Sequence, residues 1–277
     1  MKILAAAALA LSSALAQAPD VQQIMSRVGI NQAKAQELRQ NYVYHQTQLL
    51  RMMRGNGKLA REEHRDYVIT PELHRVRKQL AGFQGKYESH GAFLGYQKPG
   101  YHYKDLDIDG ELLNEMSEDM TNDGKARDGI GSDLFPLTYH EQLKYTFHLV
   151  GTESYRNRQV WRVAFEPDRS LHHDETIWKG EALIDCAEYQ PVLVTTKMAR
   201  KLPLMVRTLL GTDVKGLGFS VSYARLAEGV WFPVSYGGEF EIRAVFFYKR
   251  TIAVSLVNTD FRHTDVTSSV AYKMDQQ

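Results

Sequence analysis

The stretch Trp178-Lys179-Gly180-Glu181-Ala182-Leu183-Ile184-Asp185, then Cys186-Ala187-Glu188-Tyr189, then Gln190-Pro191-Val192-Leu193-Val194-Thr195-Thr196-Lys197 decides the fold class. Trp178, Gly180, Ala182 and Ile184 fall on one side of an extended chain, and Lys179, Glu181, Leu183 and Asp185 on the other. The second limb is rich in β-branched residues, and four residues separate the limbs, so the spacing predicts a long antiparallel hairpin. Its first side is largely apolar with small residues beside Trp178, so a helix or a ligand chain can approach closely there, or the sheet can bend.

Working outward, the chain continues in the same idiom. Alternating segments predict strands near 143–151, 158–166, 217–226, 230–236, 238–249 and 251–262, with the hairpin itself at 175–186 and 190–199. Tight turns join most of them and no helical pattern lies between successive members, which favours antiparallel neighbours. Upstream, Asn41 to Arg54 runs into Gly55-Asn56-Gly57-Lys58, a strong turn signal, and then into a second extended segment to Ile69. Arg61, Glu62, Glu63, His64, Arg65 and Asp66 on that segment read as a solvated, mixed-charge strand. A further strand is expected at 73–81, then a Gly- and Tyr-rich loop from Gly82 to Tyr103. Residues 121–133 read as a polar, Gly-rich loop.

Two helices complete the pattern. Asp20 precedes Val21, Ile24, Met25, Val28, Ala35 and Leu38, a helical spacing with Asp20 as cap and Gln23 at the capping-box position. Leu112, Leu113, Met116 and Met120 share a face of a second helix at 110–121. The expected class is α+β, mainly β: a strongly curved antiparallel sheet, an incomplete barrel, with two or more helices on its concave side.

The first residues, Met1-Lys2 followed by an apolar run to Leu11 and Ser12-Ser13-Ala14-Leu15-Ala16, read as a secretory leader cleaved after Ala16. Cleavage after Ala18 places Pro19 first, a poor substrate for a processing peptidase. Residues 17–277 are then expected to form one periplasmic domain, and no later run reaches the roughly 18 to 20 apolar residues of a membrane helix. Of 34 basic side chains one, Lys2, lies in the leader, leaving 33 against 33 acidic ones. A basic field for nucleic acid is therefore absent. Cys186 is the only cysteine, so the leader offers no thiol for lipid attachment and no intramolecular disulfide forms. It reads as a structural thiol.

The motif Gly151-Thr152-Glu153-Ser154-Tyr155 through Val160-Trp161-Arg162-Val163-Ala164-Phe165-Glu166-Pro167, followed by the Trp178 hairpin, resembles the periplasmic lipoprotein-carrier superfamily of LolA type. That resemblance implies a curved, incomplete barrel wrapped around helices and an apolar cavity that holds acyl chains of lipids or lipoproteins. It implies a non-enzymatic carrier, monomeric, whose partner is a lipid or lipidated protein, with peripheral contact to a membrane surface. Strand alternation makes Trp178, Ile184, Val194, Phe219, Val221 and Trp231 candidate cavity residues. The segment 197–211 adds a candidate lid, with Leu204, Met205 and Leu209 toward acyl chains and Arg200, Lys201 and Arg207 toward anionic head groups. A cell-envelope interaction module with a filled core, and a hydrolase with a dispersed site, are the alternatives.

Other groups point to no chemistry. Asp105, Asp107, Asp109 and Gly110 open like a calcium loop, but Met116 stands where a bidentate glutamate belongs, and a polar helix start explains the carboxylates. His172-His173-Asp174-Glu175 sits in a loop, where adjacent histidines point apart and preset no zinc geometry. No motif requires a cofactor or a metal. Intact-mass measurement of the exported protein should give a chain starting at Gln17; a start at Met1 or Pro19 contradicts the leader boundary.

Overall fold

The Trp178 hairpin forms as its alternation dictates. In a computed structural model, which describes residues 19–71, 76–105, 107–119, 137–168, 170, 178–199, 212–216, 218–244 and 248–264, strand β7 (Trp178–Asp185) pairs with β8 (Pro191–Met198) from Trp178 opposite Met198 to Ile184 opposite Pro191. The turn is held by Asp185, whose carboxylate accepts from the amides of Ala187 (2.9 Å) and Glu188 (2.8 Å). Tyr189 takes the left-handed conformation that closes it.

The remaining strands are β1 (Tyr42–Arg54), β2 (Leu59–Pro71), β3 (Val76–Ser89), β4 (Ala92–Tyr96), β5 (Tyr145–Tyr155), β6 (Arg158–Pro167), β9 (Thr212–Lys215), β10 (Gly218–Ala227), β11 (Val230–Ala244) and β12 (Tyr248–His263). One sheet contains them all, in the order β4-β3-β2-β1-β12-β11-β10-β8-β7-β6-β5, with β9 also paired to β11. Every pairing is antiparallel. The order is that of two meanders joined where β1 meets β12, from Tyr42 opposite His263 to Arg54 opposite Arg250. The barrel stays incomplete because β4 and β5 stand at opposite edges.

Helix α1 (Val21–Arg39) and helix α2 (Ile108–Asp119) pack on the same face of this sheet, and the short α3 (Tyr139–Gln142) packs against α1. Asp20 caps α1 as expected, accepting from the amide of Gln22 at 3.1 Å. The buried side of α1 differs at its end. Leu38 is 39% exposed, and Arg39 is buried instead, donating to the Trp231 carbonyl at 3.0 Å. A long side chain one position on reaches a buried carbonyl, and that outweighs the burial of one leucine.

Three strand expectations need correction. The loop expected from Gly82 to Tyr103 is strand as far as Tyr96, because Gly82 and Gly85 lie within β3, and Tyr96 crosses over Gly85 where any side chain would meet its ring. The three strands expected over 230–262 are two, since Gly237-Gly238 is extended instead of turning, Gly237 paired with β10 and β12 and Gly238 with β12. The sheet also gains β9, which alternation had not suggested. Part of the expected helix face, Met120 and the side chain of Met116, lies outside the described residues.

Glycines mark a crease across β7, β8, β10 and β11. A Cβ on Gly180 would lie 1.8 Å from the Thr195 carbonyl oxygen, one on Gly218 2.4 Å from that of Thr196, and one on Gly238 2.5 Å from that of Gly218. The strands approach so closely only because those atoms are missing. Of the two roles open to Gly180, the sheet bend is the one its contacts support. Gly180→Ala is expected to lower stability by about 1–3 kcal/mol through overpacking against backbone, measured by urea denaturation; an unchanged midpoint contradicts the crease.

Candidate functional site

The concave face carries two chemistries. Over β5 to β8, β10, β11 and β12 it is an apolar wall. Inward alternation puts Phe147, Val163, Phe165, Ala182, Ile184, Val194, Val221 and Leu256 in one buried cluster with Ile24, Met25 and Val28 of α1. Of the residues expected to line a cavity, Trp178, Ile184, Val194, Phe219, Val221 and Trp231 are all brought together in this cluster. The ring of Trp178 meets Phe219 edge-on at 5.3 Å, and Phe219 stacks on Tyr236 at 5.2 Å. Arg200, Lys201, Leu204, Met205, Arg207 and Leu209 lie outside the described residues, as does His172-His173-Asp174-Glu175.

Helix α1 rests on this wall through Ile24, Met25 and Val28, with Val21 packed beside them, and through polar contacts. Asn31 donates to the Glu188 carbonyl at 2.8 Å, and Gln32 donates to the Gln190 side chain at 2.7 Å. Gln142 of α3 donates to the Met25 carbonyl at 2.9 Å. The Trp231 indole donates to the Glu188 carboxylate at 2.9 Å, which fixes the β7–β8 turn against β11. The Tyr236 hydroxyl, in contrast, is buried in the wall with no hydrogen-bond partner among the described residues, and burial pushes its pKa well up.

Under α2 the same face is charged, which corrects the reading of β2 as solvated. Arg61, Glu63 and Arg65 are each no more than 1% exposed. They point inward because they share the parity of Tyr67 and Ile69, which are buried further along the strand. Extending the apolar alternation of those two residues backward through the charges was the signal that could have located the site.

The cluster is fully paired. Arg61 donates to Asp107 (2.6 Å), to the Tyr96 hydroxyl (2.6 Å) and to the Tyr101 carbonyl (2.6 Å). Tyr96 donates to Glu63 at 2.5 Å, and Arg65 donates to the other oxygen of Glu63 at 2.8 Å. Burial and the adjacent Glu63 charge push the Tyr96 phenol well above the usual tyrosine range, so it remains a donor. Two arginines and two carboxylates leave the group formally neutral, as burial requires.

The carboxylates of the calcium-like segment are thereby accounted for. Asp107 stands before α2, accepting from Arg61 and from the amide of Gly110 at 3.1 Å. Asp109 accepts from Arg250 at 3.0 Å and from the Tyr248 hydroxyl at 2.7 Å. Asp105 is exposed, so the three do not converge on one point. Farther along α2, Ser117 donates to Gln48 (2.7 Å), Gln48 to Gln46 (3.0 Å), Gln46 to Asn258 (3.1 Å), and Asn258 to the Pro233 carbonyl (2.8 Å). Among the described apolar side chains of α2, Leu113 is the fully buried one, set among Leu50, Met52, Phe240, Ile252 and Val254. Charges and amides therefore hold α2, whereas α1 covers an apolar wall.

Among the described residues no group of three or more His, Cys, Asp or Glu side chains is arranged to hold a metal ion. Burial, with Asp185 nearby, raises the Cys186 pKa, which suits a structural thiol.

No family model matches the sequence, and no curated protein matches it. Solved structures similar to this chain include a LolA superfamily protein from Nitrosomonas europaea, at 11% identity over 90% of this chain and 96% of that one, with a TM-score of 0.35. A DUF1329 family protein from Desulfovibrio piger is similar at 9% identity over 91% of this chain and 96% of that one, with a TM-score of 0.37. Lipovitellin is similar at 11% identity over 84% of this chain and 26% of that one, with a TM-score of 0.32.

Arg61→Met is expected to cost about 3–5 kcal/mol, because it leaves Asp107 buried without its cation and takes from Glu63 one of its two. Tyr96→Phe, which removes one hydroxyl, is expected to cost about 1–3 kcal/mol. Urea denaturation of both variants checks the order; equal, small losses contradict a buried ion network.

Proposed function

We propose that this chain is an exported, non-enzymatic binding protein of the periplasm, a monomer, that takes the acyl chain of a lipid or of a lipidated protein against its concave apolar wall. The observation that carries this reading is the mismatch between the wall and its cover. The wall extends over seven strands, yet α1 contributes only Ile24, Met25 and Val28 as large side chains to the buried cluster.

The magnitudes favour an exchangeable cover. Three buried apolar side chains are worth roughly 5–9 kcal/mol together, and each polar contact of α1 adds about 1 kcal/mol net. An acyl chain of about fourteen methylenes gains roughly 11 kcal/mol when fully withdrawn from water. Lifting α1 to admit such a chain is therefore within the reach of the ligand. The buried Tyr236 hydroxyl supplies a donor to which the ester or carboxyl end of a ligand can bond. The leader supports the compartment, and no helix among the described residues is long and apolar enough to cross a membrane.

A second reading is a cell-envelope interaction module. The close packing of α1 on the wall favours it, since a filled hollow leaves the protein to act through its surface.

Titration of the mature chain with fluorescent fatty acids separates the two. Saturable binding is expected, weakening by roughly 3 kcal/mol, more than a hundredfold, when the chain is shortened by about four methylenes. Hydrogen exchange should show α1 amides losing protection at saturation. Absence of binding, together with absence of lipid in mass spectra of the purified protein, leaves the interaction module.

A further inference from the structure

The crease that bends the sheet at Gly180 also folds its outer face into a groove of about 620 Å³, on the side away from α1. Phe165 and Gly180 are part of its lining, and the charged and polar residues around them include His148, Glu166, Lys179, Glu181, Thr195 and Lys197. The volume falls within the roughly 300–1,000 Å³ usual for small-molecule sites.

The charges are arranged unusually. Lys179 and Lys197 stand directly opposite one another across β7 and β8. Like charges in that position repel. Neither ammonium is ion-paired among the described residues, although Glu166 and Glu181 line the same groove. Glu166 is likewise unpaired there, and Glu181 has only a loose approach to Arg162 at 3.9 Å. Cations and carboxylates thus share one groove without neutralising each other, so a ligand that carries both signs can bridge them.

Sheet geometry sets the length of that ligand. Lys179 and Glu181 are two residues apart on one strand, about 7 Å between their Cα atoms, and neighbouring strands are about 4.8 Å apart. An α-amino acid has its charges one carbon apart, too close to engage both rows. A phosphate joined to a primary amine through a two-carbon spacer fits better, and the volume leaves room for a glyceryl group on the phosphate. We infer that the outer groove at the Gly180 crease binds a phosphodiester bearing a primary amine, with its phosphate against Lys179 and Lys197 and its ammonium against Glu166 and Glu181. The site lies on the opposite face from the apolar wall, and its test is independent of acyl-chain uptake there.

The ligand chemistry has two sources, a free glycerophosphodiester and the head group of a phospholipid in a bilayer. Calorimetric titration of the full chain with glycerophosphoethanolamine is expected to show one saturable site. The double variant K179Q/K197Q should weaken it tenfold or more. E166Q/E181Q should weaken it similarly while leaving glycerol 3-phosphate binding unchanged or stronger. All four positions are on the outer face, and unchanged thermal unfolding verifies that the variants are folded. Sedimentation with phosphatidylethanolamine vesicles that depends on the two lysines identifies the bilayer as source, and binding of the soluble ester alone identifies the free form. The inference is overturned if no saturable binding occurs, or if wild-type protein binds glycerol 3-phosphate as tightly as the amine-bearing ester.

Discussion

The pairing of β1 with β12 is the interaction on which the rest of the structure depends. Its partners lie about two hundred residues apart, and it joins a meander of four strands to one of eight in a single sheet. Without it there is no continuous concave face, and neither helix has the floor it packs on. Leu50 and Met52 of β1 lie beside Val254 and Ile252 of β12 in the pocket that takes Leu113. Gln46 and Asn258, directly opposite across the same pair, carry the buried amide chain. Closing so long a loop is slow compared with forming local hairpins, so this pairing sets the topological difficulty of the fold.

Two helices lie in one hollow for different physical reasons. An apolar wall releases water when α1 covers it, a non-directional gain. The floor under α2 is held by directional bonds that only one arrangement satisfies. Arg61 reaches Asp107, Tyr96 and the Tyr101 carbonyl at once, and displacement of α2 strands a buried guanidinium. The fold therefore combines a cover seated largely by apolar burial with one held by directional bonds on the same face. The glycine crease adds curvature, and the same bend that deepens the hollow forms the groove outside it.

Much of this was legible in the residues. The Trp178 hairpin, the Asp20 cap, the Gly55-Asn56-Gly57-Lys58 turn and the inward parity of Trp178, Ile184, Val194, Phe219 and Val221 are local, and the structure reproduces them. The charged stretch of β2 was not, because Arg61 and Glu63 look solvated until Tyr96 and Asp107 arrive from distant sequence. Gly237-Gly238 has the composition of a turn, yet flanking strands hold it extended.

By itself the sequence determined the strand-rich class and which side of the Trp178 hairpin is apolar, since these follow from periods of two and 3.6 and from local turn and cap chemistry. Only the tertiary structure decided that β1 meets β12, that four charges on β2 and before α2 neutralise one another in the interior, and that Gly180 marks a bend. Each of those depends on which distant groups come within bonding or contact distance, and pairing over long loops is not encoded in the pattern of any one segment.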